Sequence, residues 1–275
     1  MYEEILYEVE DPIATITLNR PQVLNAWTHR MGVEVKHAFA QAEQDPRVVV
    51  IILTGAGRGF CAGADLKQLQ SISAGGRERA GGGPEGLDAN PGDPSFGDDF
   101  RGHYTYPMSI PKPVIAAING PTAGMAVPIA LACDIRFASD QASFTLAFSK
   151  RGLVAEWGVS WLLGRLVGPA HALDLLFSSR KIDALEAERL GVVNRVVPHD
   201  ELMKTAKEYA FELANQCSPA SMAIMKRQVY QQLNASLGPS EKESVKLMLE
   251  SFERPDFKEG VTSFLEKRPP KFPRL

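Results

Sequence analysis

The stretch INGPTAGMAVPIALACDIRFAS, Ile118 to Ser139, decides how the chain folds. It begins at the end of a wholly apolar run, Pro113 to Ile118, that reads as a buried strand. Small residues around Gly120 to Gly124 then turn the chain into an apolar helix, which runs straight into the strand-like DIRFA. A strand, a tight turn, a helix and a second strand in such close succession imply a crossover rather than a hairpin. Free backbone N–H groups at the start of such a helix form an anion trap, and small residues let a substrate approach the main chain. One turn into the helix, where an acid could reach the trapped group, stands Pro128.

Upstream, GRGFCAGADLKQL (Gly57 to Leu69) repeats this strand–turn–helix logic after the β-branched run Val48 to Leu53. Two helix N-termini of this kind can converge on one oxygen and form an oxyanion hole from main chain alone. Read singly, either stretch is equally well a close-packed turn. Before them, Ile5 to Val9 and Ile13 to Leu18 alternate as a strand pair around Asp11-Pro12. Met31, Val35, Ala38, Phe39 and Ala42 then share one face of a helix. Strand, helix and strand alternate in this half, so the fold class is α/β. From Gly158 onward the pattern turns helical: Leu202, Ala206, Tyr209 and Leu213 form a stripe, Pro219 to Leu233 a second helix, and Gly260 to Lys267 a last short one. The organisation expected is a core over residues 1–200 and a helical region over 201–275. Ser71 to Asp99, rich in glycine, proline and polar residues, reads as a mobile surface insertion.

Composition narrows the function. With 275 residues, 44% hydrophobic, the chain has ample material for a large core. A net charge of −3 gives no electrostatic footprint for nucleic acid. Cys61, Cys133 and Cys217 stand at unrelated spacings, which suits neither a disulfide framework nor a metal knuckle and points to a reducing compartment. The acidic start MYEEILYEVE lacks the marks of a signal peptide, and no apolar run is long enough to span a bilayer, so a cytoplasmic protein is expected. The histidines show no metal-ligand spacing. VVVIILTGAGRGF lacks the third glycine and the spaced carboxylate of a dinucleotide site, and GVSWL lacks the closing glycine of a nucleophile elbow.

FCAGAD and PKPVIAAINGPTAGMAVPIALACDIRFAS resemble segments of the crotonase superfamily, the enoyl-CoA hydratase/isomerase family. LNRPQVLNAW, VVVIILTG, LGVVNRVVP and the terminal FLEKR extend the resemblance, in order, over nearly the whole chain. It implies a spiral of β-β-α repeats with a helical C-terminal trimerisation region, assembled as a homotrimer or a dimer of trimers. It also implies an acyl-CoA thioester substrate, with CoA as part of that substrate and no separate cofactor or metal.

The family pattern assigns the two oxyanion donors to the N–H groups of Ala64 and Met125, the latter at a position that usually holds glycine. By the same resemblance CoA lies along Asn25, Ala26, Ala62 and Asp65, mostly through main chain, with Phe264 and Lys267 near its nucleotide, on this or a neighbouring subunit. Asp65 reads equally well as a helix cap, and Asp134 as a core anchor.

Hydratases of the family use two glutamates, and matching landmarks put Pro128 and Phe148 at those positions, neither of which titrates. Glu156, in SKRGLVAEWGVSW, falls where some isomerases of the family carry their sole acid. Leu153, Val154, Trp157 and Trp161 are expected to enclose it and raise its pKa toward neutrality; as a bland alternative it is a helix N-terminal glutamate facing the dipole. A single carboxylate over an enolate suits double-bond isomerisation, while hydration would need His103, Tyr104 or an acid of the insertion to complete the site. A thioester hydrolase or decarboxylase on the same scaffold, or a non-catalytic acyl-CoA-binding protein, are the competing readings.

Overall fold

A computed structural model describes residues 2–75, 84 and 86–275. In chain order its elements are β1 (Ile5–Glu10), β2 (Ile13–Leu18), α1 (His29–Gln44), β3 (Val50–Gly55), α2 (Leu66–Ser73), β4 (Val114–Ile118), β5 (Pro121–Ala123), α3 (Ala126–Leu131), β6 (Ile135–Ser139) and β7 (Ser143–Thr145). There follow α4 (Val159–Ser178), β8 (Lys181–Asp183), α5 (Ala184–Leu190), β9 (Arg195–Val197), α6 (Leu202–Gln216), α7 (Pro219–Gln232), α8 (Leu237–Phe252) and α9 (Pro255–Glu266). The main sheet has the order β1-β2-β3-β4-β6-β9, and a second, small sheet the order β5-β7-β8. Among the described residues of the main sheet, β1 and β2 pair antiparallel, while β2, β3, β4, β6 and β9 run parallel, as crossover connections require. This is a mixed α/β architecture, the fold class expected from the sequence.

The apolar runs fold this way because a parallel strand must be buried on both faces. Alternate residues of β3 and β4 serve two cores. Ile51, Leu53, Val114, Ala116 and Ile118 face one core, shared with Met31, Val35, Ala38 and Phe39 of α1. Val50, Ile52, Ile115 and Ala117 face the other, covered by Leu202, Ala206 and Ala210 of α6. Thr28 starts α1 by accepting a hydrogen bond from the Met31 N–H. Asp134 ties the C-terminal helices to the sheet: Tyr230 and Lys226 of α7 donate to its carboxylate at 2.8 and 2.7 Å, and the Val114 N–H at 2.7 Å.

Glu34 is a fully buried acid on the apolar face of α1. Its carboxylate accepts from the N–H groups of Glu3 and Glu4 at 2.8–3.1 Å and from the Arg30 guanidinium at 2.8 Å, so it clamps the start of β1 to α1. Glu34→Ala removes the acceptor and leaves a hole against the sheet. The expected loss is about 2–3 kcal/mol from the main-chain bonds, read as a lower urea midpoint with an unchanged slope.

The fold departs from the sequence reading at the last helices, at β8 to β9 and in the insertion. The last helices are longer than read: α8 was not anticipated, and α9 starts at Pro255 rather than Gly260. Gly238 and Pro239 look like breakers, but in the first turn of α8 a proline lacks no bond that a helix would have made. The strand, helix and strand of β8, α5 and β9 are too short to give a periodic signal. The insertion expected to be mobile from Ser71 to Asp99 is packed at its far end. There Phe96 is buried, the Gly92 N–H donates to Glu43 Oε2 at 2.8 Å, and Gln231 of α7 donates to the Ser95 carbonyl at 3.0 Å. Residues 76–83 and 85 of that stretch lie outside the described residues. Among the described residues no helix is long and apolar enough to cross a membrane.

Candidate active site

Residues 61–64, between β3 and α2, act as a short extended rung between two neighbours. On one side the Trp27 N–H donates to the Gly63 carbonyl at 2.7 Å and the Asp65 N–H to the Trp27 carbonyl at 2.9 Å. On the other, the Cys61 N–H donates to Pro121 at 3.2 Å and the Ala123 N–H to Cys61 at 3.0 Å. In a parallel pairing, a residue whose two flanking groups bond the neighbouring strand turns its own N–H and C=O the opposite way. Ala64 is that residue, opposite Trp27.

Met125 begins the second turn's helix. The Gly124 N–H is taken by the Thr145 carbonyl, and the Val127 N–H closes onto the Gly124 carbonyl. The Met125 N–H is one of the orphan donors of a helix start. Among the described residues, no backbone carbonyl accepts from either the Ala64 or the Met125 N–H.

Each donor follows a glycine in the left-handed region, Gly63 at φ +95° and Gly124 at φ +46°. The two turns also touch. A methyl on Gly63 would stand 2.9 Å from the Ala123 carbonyl oxygen and 3.6 Å from the Met125 nitrogen, so the second turn packs against the glycine that precedes Ala64.

Ala64 and Met125 both line a cavity of about 830 Å³, with Ala62, Asp65, Phe148 and Glu156. Glu156 is half-buried, on the loop that leads into α4, and its carbonyl accepts from the Val159 N–H. The apolar enclosure expected around it is only partial: Leu153, Val154 and Trp157 are 41%, 76% and 44% exposed, while Leu153 and Phe148 line the same cavity. Gly152, Trp157 and Gly158 all have positive φ. Phe148 forms a buried wall of the cavity, and Pro128 is buried inside α3. Cys61, beneath the first turn, is fully buried, and burial pushes its thiol up to about 12, which keeps it protonated and removes it as a nucleophile.

The residues expected along CoA divide. Ala26 and Ala62 line the cavity. Asn25 is fully buried, and its side chain is spent on the turn, accepting from the Arg20 N–H and donating to the Ala56 and Gly59 carbonyls. Asp65 borders the cavity, but one oxygen pairs with Arg20 at 3.0 Å and the other accepts from the Lys67 N–H at 3.0 Å. Partial burial works to raise its pKa; the Lys67 N–H and the Arg20 guanidinium outweigh that and hold it below the usual value. Phe264 and Lys267 are exposed at the end of α9 and do not line the cavity of their own chain. Arg20, Arg58, Lys67 and Arg151 ring the cavity with positive charge. Scattered over the chain, they carry no sequence signal. His103 and Tyr104 pack on Trp157, at ring distances of 5.5 and 4.9 Å, in a separate chamber.

Residues 8–274 match the family described as enoyl-CoA hydratase/isomerase. The 1,2-epoxyphenylacetyl-CoA isomerase of Escherichia coli K12 is 34% identical over 280 residues, covering 99% of both chains. The short-chain-enoyl-CoA hydratase of Clostridium acetobutylicum is 33% identical, covering 96% of this chain and 95% of its own. Among solved structures, an enoyl-CoA hydratase subunit I from Geobacillus kaustophilus HTA426 superposes with a TM-score of 0.84 at 32% identity over 98% of both chains.

Proposed function

Because the chain belongs to the enoyl-CoA hydratase/isomerase family, whose members act on acyl-CoA thioesters, we propose that it moves a double bond along an enoyl-CoA with Glu156 as its only proton carrier. The observation that carries this reading is one cavity lined by Ala64, Met125 and two carboxylates, of which Asp65 is held by Arg20 and the Lys67 N–H and Glu156 is left for proton transfer. The thioester oxygen accepts from the N–H groups of Ala64 and Met125. The Glu156 carboxylate takes the α proton of a 3-enoyl-CoA, and the electron pair flows into the thioester as a dienolate. Charge on that oxygen is where fixed donors contribute most, about 3–4 kcal/mol for a well-placed one. The protonated Glu156 then returns the proton to the γ carbon, giving the 2-enoyl-CoA with no net change in atoms. Phe148 and Pro128 offer no second acid to activate a water, which favours isomerisation over hydration.

CoA enters as part of the substrate. Its main-chain contacts fall to Ala26, Ala62 and Asp65 and the main chain beside the buried Asn25, and its phosphates to the basic rim of Arg58, Lys67 and Arg151. Phe264 and Lys267 reach a nucleotide only from a neighbouring subunit. Met225, Val229, Val245, Met248 and Leu249 on α7 and α8 are each about half or more exposed, a surface that a trimer or dimer of trimers would cover. Sedimentation at micromolar concentration should give a trimer or hexamer; a monomer would refute the assembly.

The deciding experiment incubates the protein with 2-enoyl-, 3-enoyl- and 3-hydroxyacyl-CoAs in deuterium oxide and reads the products by mass spectrometry and NMR. Deuterium at the α carbon together with a shifted double bond is the expected outcome. Interconversion of the 2-enoyl and 3-hydroxyacyl forms would replace isomerisation with hydration, free CoA or carbon dioxide would replace it with hydrolysis or decarboxylation, and an unchanged panel would leave a binding protein.

A further inference from the structure

A second cavity, of about 420 Å³, is lined mainly by rings, Phe100, His103, Tyr104, Trp157 and Trp161, together with Met108 and Asp99. The rings come from two segments far apart in sequence. Tyr104 meets Trp157 edge to face, with centroids 4.9 Å apart at 73°, and His103 at 4.5 Å and 85°. His103 lies tilted on Trp157 at 5.5 Å, and Phe100 meets Trp161 edge-on at 6.3 Å.

Two observations connect this chamber to the candidate site. Glu156 lines the first cavity, while Trp157 and Gly158, the next two residues, line the second. Tyr104 packs edge-on against Trp27, the residue whose main chain brackets Ala64. An acyl chain whose carbonyl is held at Ala64 and whose reacting carbons pass Glu156 therefore has this chamber ahead of it.

Trp157 is also held in a conformation that a bulky residue rarely adopts, at φ +54°. Such a backbone persists only where its surroundings over-determine it, and it clusters at ligand-contacting sites. Gly158 follows at φ +82°, and a methyl there would touch Thr105 at 3.4 Å, so the two segments are closely apposed. These constraints set the Trp157 ring against His103 and Tyr104.

We infer that this chamber is the subsite for the distal part of the acyl group, and that its substrate class is acyl-CoA thioesters ending in an aromatic ring, with Trp157 as the specificity-determining residue. The inference rests on the acyl-CoA reading of the first cavity. An alkyl tail gains only its buried area from such walls. An aryl tail gains that area and, in addition, edge-to-face and offset contacts with rings already held at fixed angles. The wall is mainly apolar, with Asp99 and Thr105 among its polar members, as expected of a pocket that sorts largely by shape and stacking.

The test measures binding of 3-phenylpropanoyl-CoA and octanoyl-CoA to the full chain by calorimetry. Neither probe carries the double bond that the reaction needs, so affinity is read without turnover. The wild type should bind the aryl probe about tenfold more tightly than the alkyl probe. Trp157→Ala should bring the two within about threefold, while Trp157→Phe, which keeps a ring, should retain most of the preference. Equal or tighter binding of octanoyl-CoA, or a preference that survives Trp157→Ala, overturns the aromatic subsite and leaves the acyl-CoA reading standing. Failure of both probes to bind overturns that reading, and the subsite with it.

Discussion

Glu156→Gln should slow deuterium exchange at the α carbon of a bound acyl-CoA by about 10²- to 10⁴-fold, with binding of the thioester nearly unchanged. The amide keeps the size of the side chain and its capacity to hydrogen-bond, but it cannot take a proton from one carbon and return it to another. The expected size follows from the proposed role: Glu156 lines the same cavity as Ala64 and Met125, and Phe148, also on that wall, has nothing to titrate. Exchange is the right measurement because it reports proton transfer whichever product forms. If Glu156→Gln exchanges at the wild-type rate, the proton carrier lies elsewhere, and His103 is the next residue to change.

What could be read from sequence, and what could not, follows from the range of the interactions involved. The β3 and β4 runs and the Met31–Ala42 face were legible because burial imposes a short period on residue type. The two small-residue turns were legible for a related reason: a close approach of backbones excludes side chains, as the 2.9 Å that would separate a methyl on Gly63 from the Ala123 oxygen shows. The surroundings of Glu156 were not. Four apolar neighbours in sequence suggested enclosure, but three of them are 41–76% exposed, and Trp157 packs on His103 and Tyr104, partners distant in sequence. The roles of Asn25 and Asp65 were hidden in another way. Each is fixed by polar partners on other segments, Gly59 for Asn25 and Arg20 for Asp65, and no local pattern encodes such a pairing. The ring-lined chamber joins residues 99–108 to 157–162, so neither half reads as a site alone.

Met125→Pro should cut kcat/KM by about 10²- to 10³-fold or more, a size typical of losing one donor to a developing oxyanion, while leaving the fold intact. Proline has no N–H, and its ring carbon would stand where the hydrogen now points, so the substitution both removes the donor and narrows the space for the oxygen. The backbone tolerates it: Met125 has φ −58° and ψ −24°, inside proline's own range, at the start of a helix where no intrahelical bond is lost. Met125→Ala supplies the contrast. It keeps the N–H and discards only the side chain, so its kcat/KM should stay within about tenfold of wild type, with the change confined to how acyl groups of different shape are accepted. Thermal unfolding of both variants checks that the helix survives. A natively folded Met125→Pro that retains a tenth or more of the wild-type kcat/KM would show that the oxyanion is held by other groups, and Ala64 would then have to be paired with a different donor. If both variants fall equally, the side chain rather than the main chain carries the effect. The departure from glycine at this position would then be part of the chemistry itself, instead of a bystander to a hole made by the backbone.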